Sequence, residues 1–504
     1  MRRLICSIAL LGALVAAAGP GLAQLETVWS ATYGGSANDG LRSAVETADG
    51  GLVAVGYTYS FGPAEVNIYV VRTDAGGDTL WTRTLGGAGR DYGYGVCEVG
   101  AGDCVVTGYT TSSGAGREDV YVARLSAGGS VVWERVYGGS GSDEGRAVCL
   151  ASDGCLVVVG RTDSFGSGES DVYLIKLDAD GDSVWTLALG GALYDWGEDV
   201  CESADQCYSV CGSTGSSSTS RDILLAKVTS AGAVVWQRSY GDLNIYIGHD
   251  WGAALCPTAD SGLAVAGSRI IAGVDPAEVY YLKTDRLGNQ TSLKRYNDTF
   301  MEYGCSLCET PEAGFLICGA EKDEITLKND LMLVKRVPGL NWSWEQLIGG
   351  AGSDWGSSVA RMAAPGYYLV AGHTESYGAG GYDGWLLKMK EPAAAVPDRP
   401  SSGPIELGSP SPNPFSGQVT FRFCVGSVGS AAAPEVAVYD VAGRMVKSLA
   451  GCAPGTGEQT VVWDGTDRSG RPVGPGIYLL RLTAGGTSAS RKVVKISAAS
   501  ANRP

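Results

Sequence analysis

Charged residues, and basic residues above all, are scarce in this chain. Lysine and arginine number 38 among 504 residues, aspartate and glutamate number 54, and the formal net charge is −16. Proteins that bind nucleic acids or anionic lipid surfaces neutralise phosphates with lysine and arginine. The balance therefore argues against a nucleic-acid partner and against electrostatic docking on anionic lipid.

Long apolar runs are also missing beyond the N terminus. The one such run, residues 5–18, follows Arg2 and Arg3 and precedes a small-residue stretch at 21–23. This is the pattern of a secretory signal peptide over residues 1–23, and the run is short for a membrane anchor. Cys6 lies inside the run and not at its end, which argues against lipoprotein cleavage. We expect an exported mature chain that begins at Gln24 and has no transmembrane segment.

Glycine, by contrast, is abundant, and it marks a repeat. The chain has 75 glycines with 44% apolar and only 18% charged residues, which is typical of an all-β protein with many tight turns. A segment of about 52 residues recurs seven times, a period typical of solenoids and propellers. A glycine closes the same apolar run in every copy: Gly56, Gly108, Gly160, Gly212, Gly267, Gly319 and Gly372. A tryptophan recurs in six copies: Trp29, Trp81, Trp133, Trp185, Trp236 and Trp344.

Each copy has the pattern of four short strands. In the third copy, residues 133–137, 145–150, 156–159 and 172–177 read as strands, and glycine- and aspartate-rich turns separate them. Radially stacked units of four antiparallel strands form a β-propeller. We therefore predict a seven-bladed β-propeller over residues 25–390, in which the N-terminal strand completes the last blade and closes the ring. An open solenoid is the weaker alternative because it would need distinct capping repeats.

The repeat resembles the bacterial propeller repeats called SBBP. The resemblance is carried by "GGSGSD" at 138–143, "VTGYT" at 106–110 and "DVYLIKLDADGDSVW" at 171–185. It implies the fold and says almost nothing about activity, because propellers host many unrelated functions.

Thirteen cysteines remain after Cys6, and an exported location permits disulfides. Four pairs bracket hairpin turns at nearly constant register, which predicts cross-strand disulfides; a fifth pair is expected in the last domain. The candidate pairs are Cys97 with Cys104, Cys149 with Cys155, Cys201 with Cys207, Cys305 with Cys318, and Cys424 with Cys452. Cys211, Cys256 and Cys308 are left without an assigned partner, and Cys305-x-x-Cys308 lacks the second half of a zinc site, so no metal is predicted there.

Every copy carries an acid at the entrance to its second strand, and in five copies an aromatic residue follows. We call these acids the ring acids: Asp39, Asp91, Asp143, Asp195, Asp250, Glu302 and Asp354. The aromatic residues are Tyr92, Trp196, Trp251, Tyr303 and Trp355. A second polar position lies mostly 11 residues after the repeated glycine, in the loop that enters the fourth strand of each copy: Asn67, Asp119, Asp171, Asp222, Glu278, Asp330 and Asp383. Alternating strand direction places both positions on one face of the disc.

Two interpretations of this face remain open. The acids can be turn residues that accept backbone N–H groups and tie one blade to the next, which their repetition in every blade favours. Alternatively the face binds a ligand, with tyrosine and tryptophan stacking on sugar rings and carboxylates holding Ca²⁺. No cofactor is predicted; Ca²⁺ is the one ion that the acids would suit.

Enzyme signals are weak. The chain has two histidines and no nucleophile motif, phosphate loop or dinucleotide fingerprint in a strand–helix context. His373 occupies the position of Tyr57, Tyr109 and Arg161 in other copies, whereas His249 precedes a ring acid beside a longer loop at 242–247. No catalytic residue is predicted, and the surroundings of His249 are the one place where an enzyme site is conceivable.

The repeat stops at a linker rich in proline, alanine and serine, residues 391–411. Beyond it, residues 412–497 carry "SPNPF" at 411–415, "VAVYDVAGRMVKSL" at 436–449, "WDGTDRSGRPVGPGIYLLRL" at 463–482 and "RKVVKI" at 491–496. These motifs resemble the C-terminal sorting domain of type IX secretion cargo and, equally, the FlgD-type Ig-like domain. The resemblance implies a small Ig-like β-sandwich, and in the sorting case passage across an outer membrane.

These features together favour an exported, non-catalytic binding or adhesion scaffold that is secreted or displayed at the cell surface. The partners expected are secretion or surface-anchoring machinery for the C-terminal domain and a glycan or surface protein for the propeller. The enzyme alternative is a hydrolase or lyase acting on extracellular polysaccharide, and a third is a purely structural protein. A binder can use repeated shallow sites, whereas an enzyme should break the sevenfold symmetry at one cleft.

Overall fold

Strands account for all the regular structure of the described residues, and these residues contain no helix. The computed structural model describes residues 24–217, 220–241, 248–271, 274–296, 301–322, 326–337, 344–392, 405–407, 415–425, 435–440, 444–449, 457–484 and 487–495. The predicted signal peptide and most of the predicted linker lie outside them. Across these ranges no helix is long and apolar enough to cross a membrane.

The chain divides into two compact units, and the larger spans residues 21–392. Its strands are β1 (Glu26–Tyr33), β2 (Asp39–Glu46), β3 (Leu52–Thr58), β4 (Asn67–Thr73), β5 (Thr79–Leu85), β6 (Asp91–Glu98), β7 (Cys104–Thr110), β8 (Asp119–Leu125), β9 (Val131–Tyr137), β10 (Asp143–Leu150), β11 (Leu156–Thr162), β12 (Asp171–Leu177), β13 (Ser183–Leu189), β14 (Asp195–Glu202), β15 (Tyr208–Ser217), β16 (Ser220–Val228), β17 (Val234–Tyr240), β18 (Gly248–Pro257), β19 (Leu263–Ile271), β20 (Val274–Thr284), β21 (Gln290–Tyr296), β22 (Met301–Glu309), β23 (Phe315–Lys322), β24 (Asn329–Arg336), β25 (Trp344–Ile348), β26 (Asp354–Arg361), β27 (Tyr367–Thr374) and β28 (Asp383–Lys390).

These strands pair as antiparallel groups of four in chain order. The groups are sheet 1 (β2–β5), sheet 2 (β6–β9), sheet 3 (β10–β13), sheet 4 (β14–β17), sheet 5 (β18–β21), sheet 6 (β22–β25) and sheet 7 (β26–β28 with β1). The predicted return of the N-terminal strand is present, because β1 pairs antiparallel with β28. Sheets 4 and 5 are linked by one parallel pairing, Arg221 with His249.

The first strand of each sheet packs against the first strand of the next. We call these the inner strands: β2, β6, β10, β14, β18, β22 and β26. Successive inner strands are neighbours, and β26 is in turn a neighbour of β2, so the series returns to its start. Each sheet therefore contacts two others, and a separate apolar core fills the space between neighbouring sheets.

Burial follows the position of the strand in its sheet. Strands β3, β4 and β12 are buried along their full length, since their continuous apolar runs face a neighbouring sheet on either side. The fourth strands, such as β5 and β9, are largely exposed. Their tryptophans contact the backbone of a turn in the next sheet. Trp81 Nε1 in β5, for example, donates to Ala127 O in the turn between β8 and β9, at 2.8 Å.

The smaller unit contains two sheets around one core. Its strands are β29 (Ile405–Leu407), β30 (Val419–Val425), β31 (Glu435–Asp440), β32 (Met445–Leu449), β33 (Gly457–Trp463), β34 (Gly476–Ala484) and β35 (Thr487–Lys495). One sheet has the order β29-β30-β33 and the other β32-β31-β34-β35. Phe421 and Trp463 of the first sheet pack with Val438 and Leu480 of the second. Lys495 lies buried beside this core because its ammonium donates to two carbonyl oxygens, at 2.7 and 2.8 Å.

Candidate binding site at one end of the inner strands

Six of the ring acids are described with their side chains, and all six are buried at the start of the inner strands: Asp39, Asp91, Asp143, Asp195, Asp250 and Asp354. Asp143 is fully buried; its Oδ2 accepts a hydrogen bond from Gly139 N at 2.8 Å and one from Ser164 Oγ at 2.6 Å. The same contacts recur at Asp39, Asp91 and Asp354, which accept from a turn glycine and a serine hydroxyl. These carboxylates fix the turn that precedes each inner strand, in agreement with the first of the two interpretations above.

The second set of acids meets the ring acids of the next sheet. A Cβ placed on Gly138 would lie 2.2 Å from Asp119 Oδ1 and 2.7 Å from Asp143 Oδ2, and Gly190 stands in the same way between Asp171 and Asp195. The two sets of acids therefore meet where sheet 2 joins sheet 3 and where sheet 3 joins sheet 4. The described residues contain no group of three or more His, Cys, Asp or Glu side chains that could hold a metal ion.

The aromatic residues after the ring acids are half-buried, and some of them contact further aromatic rings in an arc over several sheets. Ring centroids of Tyr303 and Trp355 are 5.5 Å apart, and His373 stacks on Trp355 at 6.1 Å. Farther along the arc, Tyr92 lies 5.5 Å from Tyr57. We call this surface, with Trp196 and Trp251, the aromatic mouth. Sheet 3 interrupts it, since Glu144 and Arg161 occupy the equivalent paired positions and form an ion pair at 2.5 Å.

The aromatic mouth contains a cavity of about 250 Å³ between sheets 4 and 5. Trp196 and Trp251 form two of its walls, and Glu198, Ser213 and Arg221 supply its polar groups. The Arg221 guanidinium lies over the Trp196 ring, 4.2 Å from its centroid, which is close enough for a cation–π interaction. A larger cavity of about 470 Å³ lies beside β5 and β9. It is lined mainly by turn residues and hydroxyls and brings no pair of aromatic rings together.

Sequence reasoning missed the residues that break the sevenfold symmetry. Every inner strand carries one bulged residue that has no partner on the second strand, immediately after the glycine or leucine that follows the aromatic position. The seven residues are Arg42, Tyr94, Arg146, Glu198, Ala253, Cys305 and Ser357. A glycine directly precedes the bulged residue in six of the seven inner strands, and this repeated glycine inside a strand is the signal that could have indicated the bulge.

Charges among the bulged residues interact across sheets. Arg146 lies over the Tyr94 ring at 4.3 Å and pairs with Glu144 at 2.7 Å. Burial raises the pKa of the Glu198 carboxyl above its ordinary value; Arg146 opposes this shift and Glu144 adds to it. A polar cluster of mixed charge therefore lies directly below the cavity.

The two histidines occupy different surroundings. His373 is buried between Trp355 and Tyr382, and burial with the nearby Arg42 charge lowers its pKa to about 3, so it is neutral at ordinary pH. His249 is exposed and lines another cavity, of about 310 Å³, with Glu169, Tyr194 and Arg221. Arg221 thus lines both this cavity and the one between Trp196 and Trp251. His249, the one histidine with solvent access, is therefore close to the aromatic mouth.

None of the cysteines described in the larger unit is bonded to another, and the strand register there differs from the one that the hairpin disulfides require. Cys97 lies opposite Val105 while Cys104 lies opposite Glu98, so this pair is displaced by one residue and its side chains enter different cores. Cys305 and Cys318 are displaced in the same way. The other two predicted pairs are two positions out of register, Cys149 facing Val157 and Cys201 facing Ser209. The fifth pair lies outside the description, because Cys452 is not among the described residues.

Comparison with known proteins identifies one segment of the chain. Residues 412–488 match the model of the FlgD Ig-like domain. No protein with a curated description matches the chain.

Among solved structures, PorZ of Porphyromonas gingivalis, described as a surface component of the type IX secretion system, is 12% identical with a TM-score of 0.40. The match covers 92% of this chain, which spans only 60% of PorZ. The polysaccharide lyase Uly1 is 10% identical with a TM-score of 0.42, over 70% of this chain and 90% of that one. An α-L-arabinanase of Penicillium chrysogenum is 11% identical with a TM-score of 0.41, over 73% and 99%. These likenesses are too distant to carry an argument about function; the findings support an all-β chain that includes a FlgD Ig-like domain.

Proposed function

We propose that this protein is an exported binding scaffold whose seven sheets are the blades of a β-propeller and whose aromatic mouth binds carbohydrate. The observation that carries the proposal is the cavity in which Trp196 and Trp251 face a shared space with Arg221 and Glu198 at its edge. The return of the inner-strand series to its start and the pairing of β1 with β28 support the seven-bladed ring.

The chemistry of the cavity suits a sugar ring. A pyranose presents an apolar face of C–H groups and an equatorial rim of hydroxyls, which match an aromatic wall and charged hydrogen-bonding groups. Arg221 is held over Trp196, so its guanidinium is positioned before a ligand arrives and less side-chain entropy is lost on binding. The arc through Tyr303 and Trp355 would extend the contact to further residues of a chain.

In this proposal the C-terminal unit directs secretion of the protein or its attachment at the cell surface. Its match to the FlgD Ig-like domain and its sorting-domain motifs support a role in secretion or in attachment at the outer surface. The leader pattern of residues 1–23 supports export. A plain accessory Ig-like module is the alternative for this unit.

A glycan array with the mature full chain tests the binding proposal. We expect saturable binding to one class of polysaccharide and at least a tenfold loss of affinity in Trp196→Ala and Trp251→Ala, about 1.4 kcal/mol or more. Trp133→Ala on the exposed fourth strand of sheet 2 is the matched control, because it removes the same ring away from the mouth. Equal binding by all three variants, or a loss of affinity in Trp133→Ala alone, contradicts the proposal. Loss of binding with EDTA would assign Ca²⁺ to the site.

One observation favours the enzyme alternative enough to test it. Glu198 lines the cavity and its pKa is raised, whereas Glu144 nearby is paired with two arginines. A buried carboxyl with a raised pKa beside a carboxylate held in ion pairs resembles the acid and the base of a polysaccharide-cleaving enzyme. Incubation of the ligand found on the array with Glu198→Gln and with the natural chain decides the matter. Cleavage by the natural chain alone establishes an enzyme, and an intact ligand in both establishes a binder.

A further inference from the structure

Arginine side chains lie around the aromatic mouth although the chain as a whole is acidic, with a formal net charge of −16. Four guanidinium groups lie 4.2 to 5.7 Å from the centroid of an aromatic ring in or just below the mouth, which is the range of a cation–π interaction. They are Arg42 over Tyr57, Arg146 over Tyr94, and Arg161 and Arg221 over Trp196. The mouth therefore contains several positive charges in an acidic protein.

Two of these arginines are neutralised within the protein. Glu144 forms an ion pair with Arg161 at 2.5 Å and another with Arg146 at 2.7 Å, so two guanidinium groups share one carboxylate. Arg161 also lies 3.4 Å from a carboxylate oxygen of Glu118. Arg146 and Arg161 therefore have carboxylate partners of their own and need no ligand.

Arg221 and Arg42 have no such partner. Across the part of the chain that the structure describes, neither guanidinium forms an ion pair with an aspartate or a glutamate. Glu169 lines a cavity with Arg221, but its carboxylate is hydrogen-bonded to the Tyr194 hydroxyl. The Nε of Arg42 is buried and has no hydrogen-bond partner among the described residues. Both cations therefore keep N–H groups that are not used by a carboxylate of the protein.

Arg221 is the better placed of the two for a ligand, because it is half-buried at the edge of the cavity between Trp196 and Trp251. A planar guanidinium presents a fork of donors that matches two oxygens of a carboxylate or a sulfate, and such charge-assisted bonds are about twice as strong as neutral ones. The hydroxyls of a neutral sugar accept from the same donors but leave the positive charge unpaired. The cavity therefore favours a sugar that carries an acidic group.

The carboxyl that shares this cavity opposes an anion less than an exposed glutamate would. Glu198 lines the cavity, and burial raises its pKa above the ordinary value. A raised pKa means that the group carries less negative charge than an exposed glutamate at the same pH. The positive charge of Arg221 is thus only partly offset on the cavity wall.

We propose that the aromatic mouth selects an acidic polysaccharide, in which a carboxylate or a sulfate ester pairs with Arg221 while the sugar ring stacks on Trp196 or Trp251. This inference rests on the carbohydrate binding proposed above and adds the chemical class of the ligand. Arg42, which lies over Tyr57 elsewhere in the mouth, offers a second position for an acidic group of the same polymer. The net charge of −16 repels a polyanion from the rest of the protein, which confines the pairing to the mouth.

Glycans that differ only in charge test this inference on the mature full chain. The array carries each uronate or sulfate glycan beside its methyl ester or desulfated form, for example oligogalacturonate with its methyl ester and dextran sulfate with dextran. We expect the natural chain to bind the charged member of one pair about tenfold or more tightly than the neutral member. A preference for the uronate assigns a carboxylate to the site, and a preference for the sulfated glycan assigns a sulfate ester. Equal affinity for charged and neutral members throughout the array overturns the inference.

Substitution of Arg221 locates the acidic group. Arg221→Gln removes the positive charge and keeps a polar side chain, and we expect it to lower the preference for the charged glycan about fivefold or more. Arg221→Lys keeps the charge without the planar fork and should retain part of the preference. Arg135→Gln is the matched control, because Arg135 lies over Trp133 on the exposed strand β9, outside the mouth. A preference that is unchanged in Arg221→Gln, or that is lost in Arg135→Gln, contradicts the assignment.

The outcomes separate this inference from the proposed function. If neutral glycans bind as tightly as charged ones and Trp196→Ala abolishes that binding, the mouth binds carbohydrate without selecting an acid, and only this inference fails. If no glycan of either kind binds, both fail. The comparison of charged with neutral glycans uses the natural chain, so its result does not depend on the folding of a variant.

Discussion

Buried carboxylates lie close to one another at the junctions between sheets of the larger unit. At the junction of sheets 2 and 3, Asp119 Oδ1 and Asp143 Oδ1 are buried without a hydrogen-bond partner, and both residues are at most 2% exposed. Burial raises the pKa of Asp119 and the neighbouring Asp143 adds to this shift, whereas hydrogen bonds from the backbone of Gly116 and Ala115 oppose it. The equivalent position in sheet 1 is Asn67, a neutral isostere, which fits a pair in which one member is uncharged.

Asp119→Asn is therefore expected to raise the stability of the protein at neutral and alkaline pH. A folded-state pKa above the unfolded value favours the fold below the ordinary pKa of aspartate, and this contribution is lost as the pH rises through the raised value. The asparagine amide removes that loss and can donate to Asp143. We expect a higher Tm than that of the natural chain at pH 8 and a smaller difference at pH 4.

The control for this substitution is Asp180→Asn, which removes the same charge from an exposed turn of sheet 3. Its Tm should follow the natural chain at both pH values. A Tm of Asp119→Asn below that of the natural chain at pH 8 would show that the carboxylate is needed in its charged form, as a cation site would require.

A glycine follows the fourth strand in six of the seven sheets and leaves room for the junction between sheets. Gly138 follows β9, and its missing side chain leaves the space that Asp119 and Asp143 fill from two sheets. Gly138→Ala is expected to destabilise the fold by about 1–3 kcal/mol, because its Cβ would overlap carboxylate oxygens that buried backbone contacts hold in place. Gly128→Ala in the turn before β9, whose nearest neighbour is 3.9 Å away, is the control. Urea unfolding of both variants measures the difference, and equal midpoints would contradict it.

The strands were predictable because periodicity and turn chemistry act locally. Residues 145–150 were expected as a strand and lie within β10, and residues 172–177 lie within β12. The same reasoning identified Asp143 as an acid that fixes a turn. It placed Cys97 opposite Cys104, however. The four cysteine pairs have nearly the same positions relative to the repeated glycine, which shows that the hairpins share a register but does not show which register it is.

The binding site was only partly predictable for a related reason. Trp196 and Trp251 were named from the sequence because they repeat, whereas Glu198 and Arg221 depart from the repeat and attracted no attention. Glu198 faces the cavity because of a bulge, and Arg221 because β16 continues past the usual strand start. Both effects depend on how the sheets pair, which a repeat alone does not determine.

At the scale of the molecule, the larger unit depends on one long-range pairing. Sheet 7 is built from both ends of residues 24–392, and β1 covers the edge of β28, where Trp385, Leu386 and Leu387 are at most 1% exposed. A sheet edge without its partner exposes backbone groups and apolar side chains that recruit other chains. The first strand thus covers the edge of the last sheet. Because β1 and β28 are far apart in the sequence, their pairing has a high loop-closure entropy cost and is expected to form late in folding.

Deletion of residues 24–33 from the mature chain is expected to lower the Tm and to produce oligomers on size-exclusion chromatography, because β28 loses its antiparallel partner. A synthetic peptide of residues 24–33 added in trans should restore the monomer and the higher Tm, since the registered pairing from Glu26 to Tyr33 needs no covalent continuity with β2. A scrambled peptide of the same composition should restore neither. If the deleted chain stays monomeric with an unchanged Tm, the larger unit does not need β1, and the inner strands alone hold the seven sheets together.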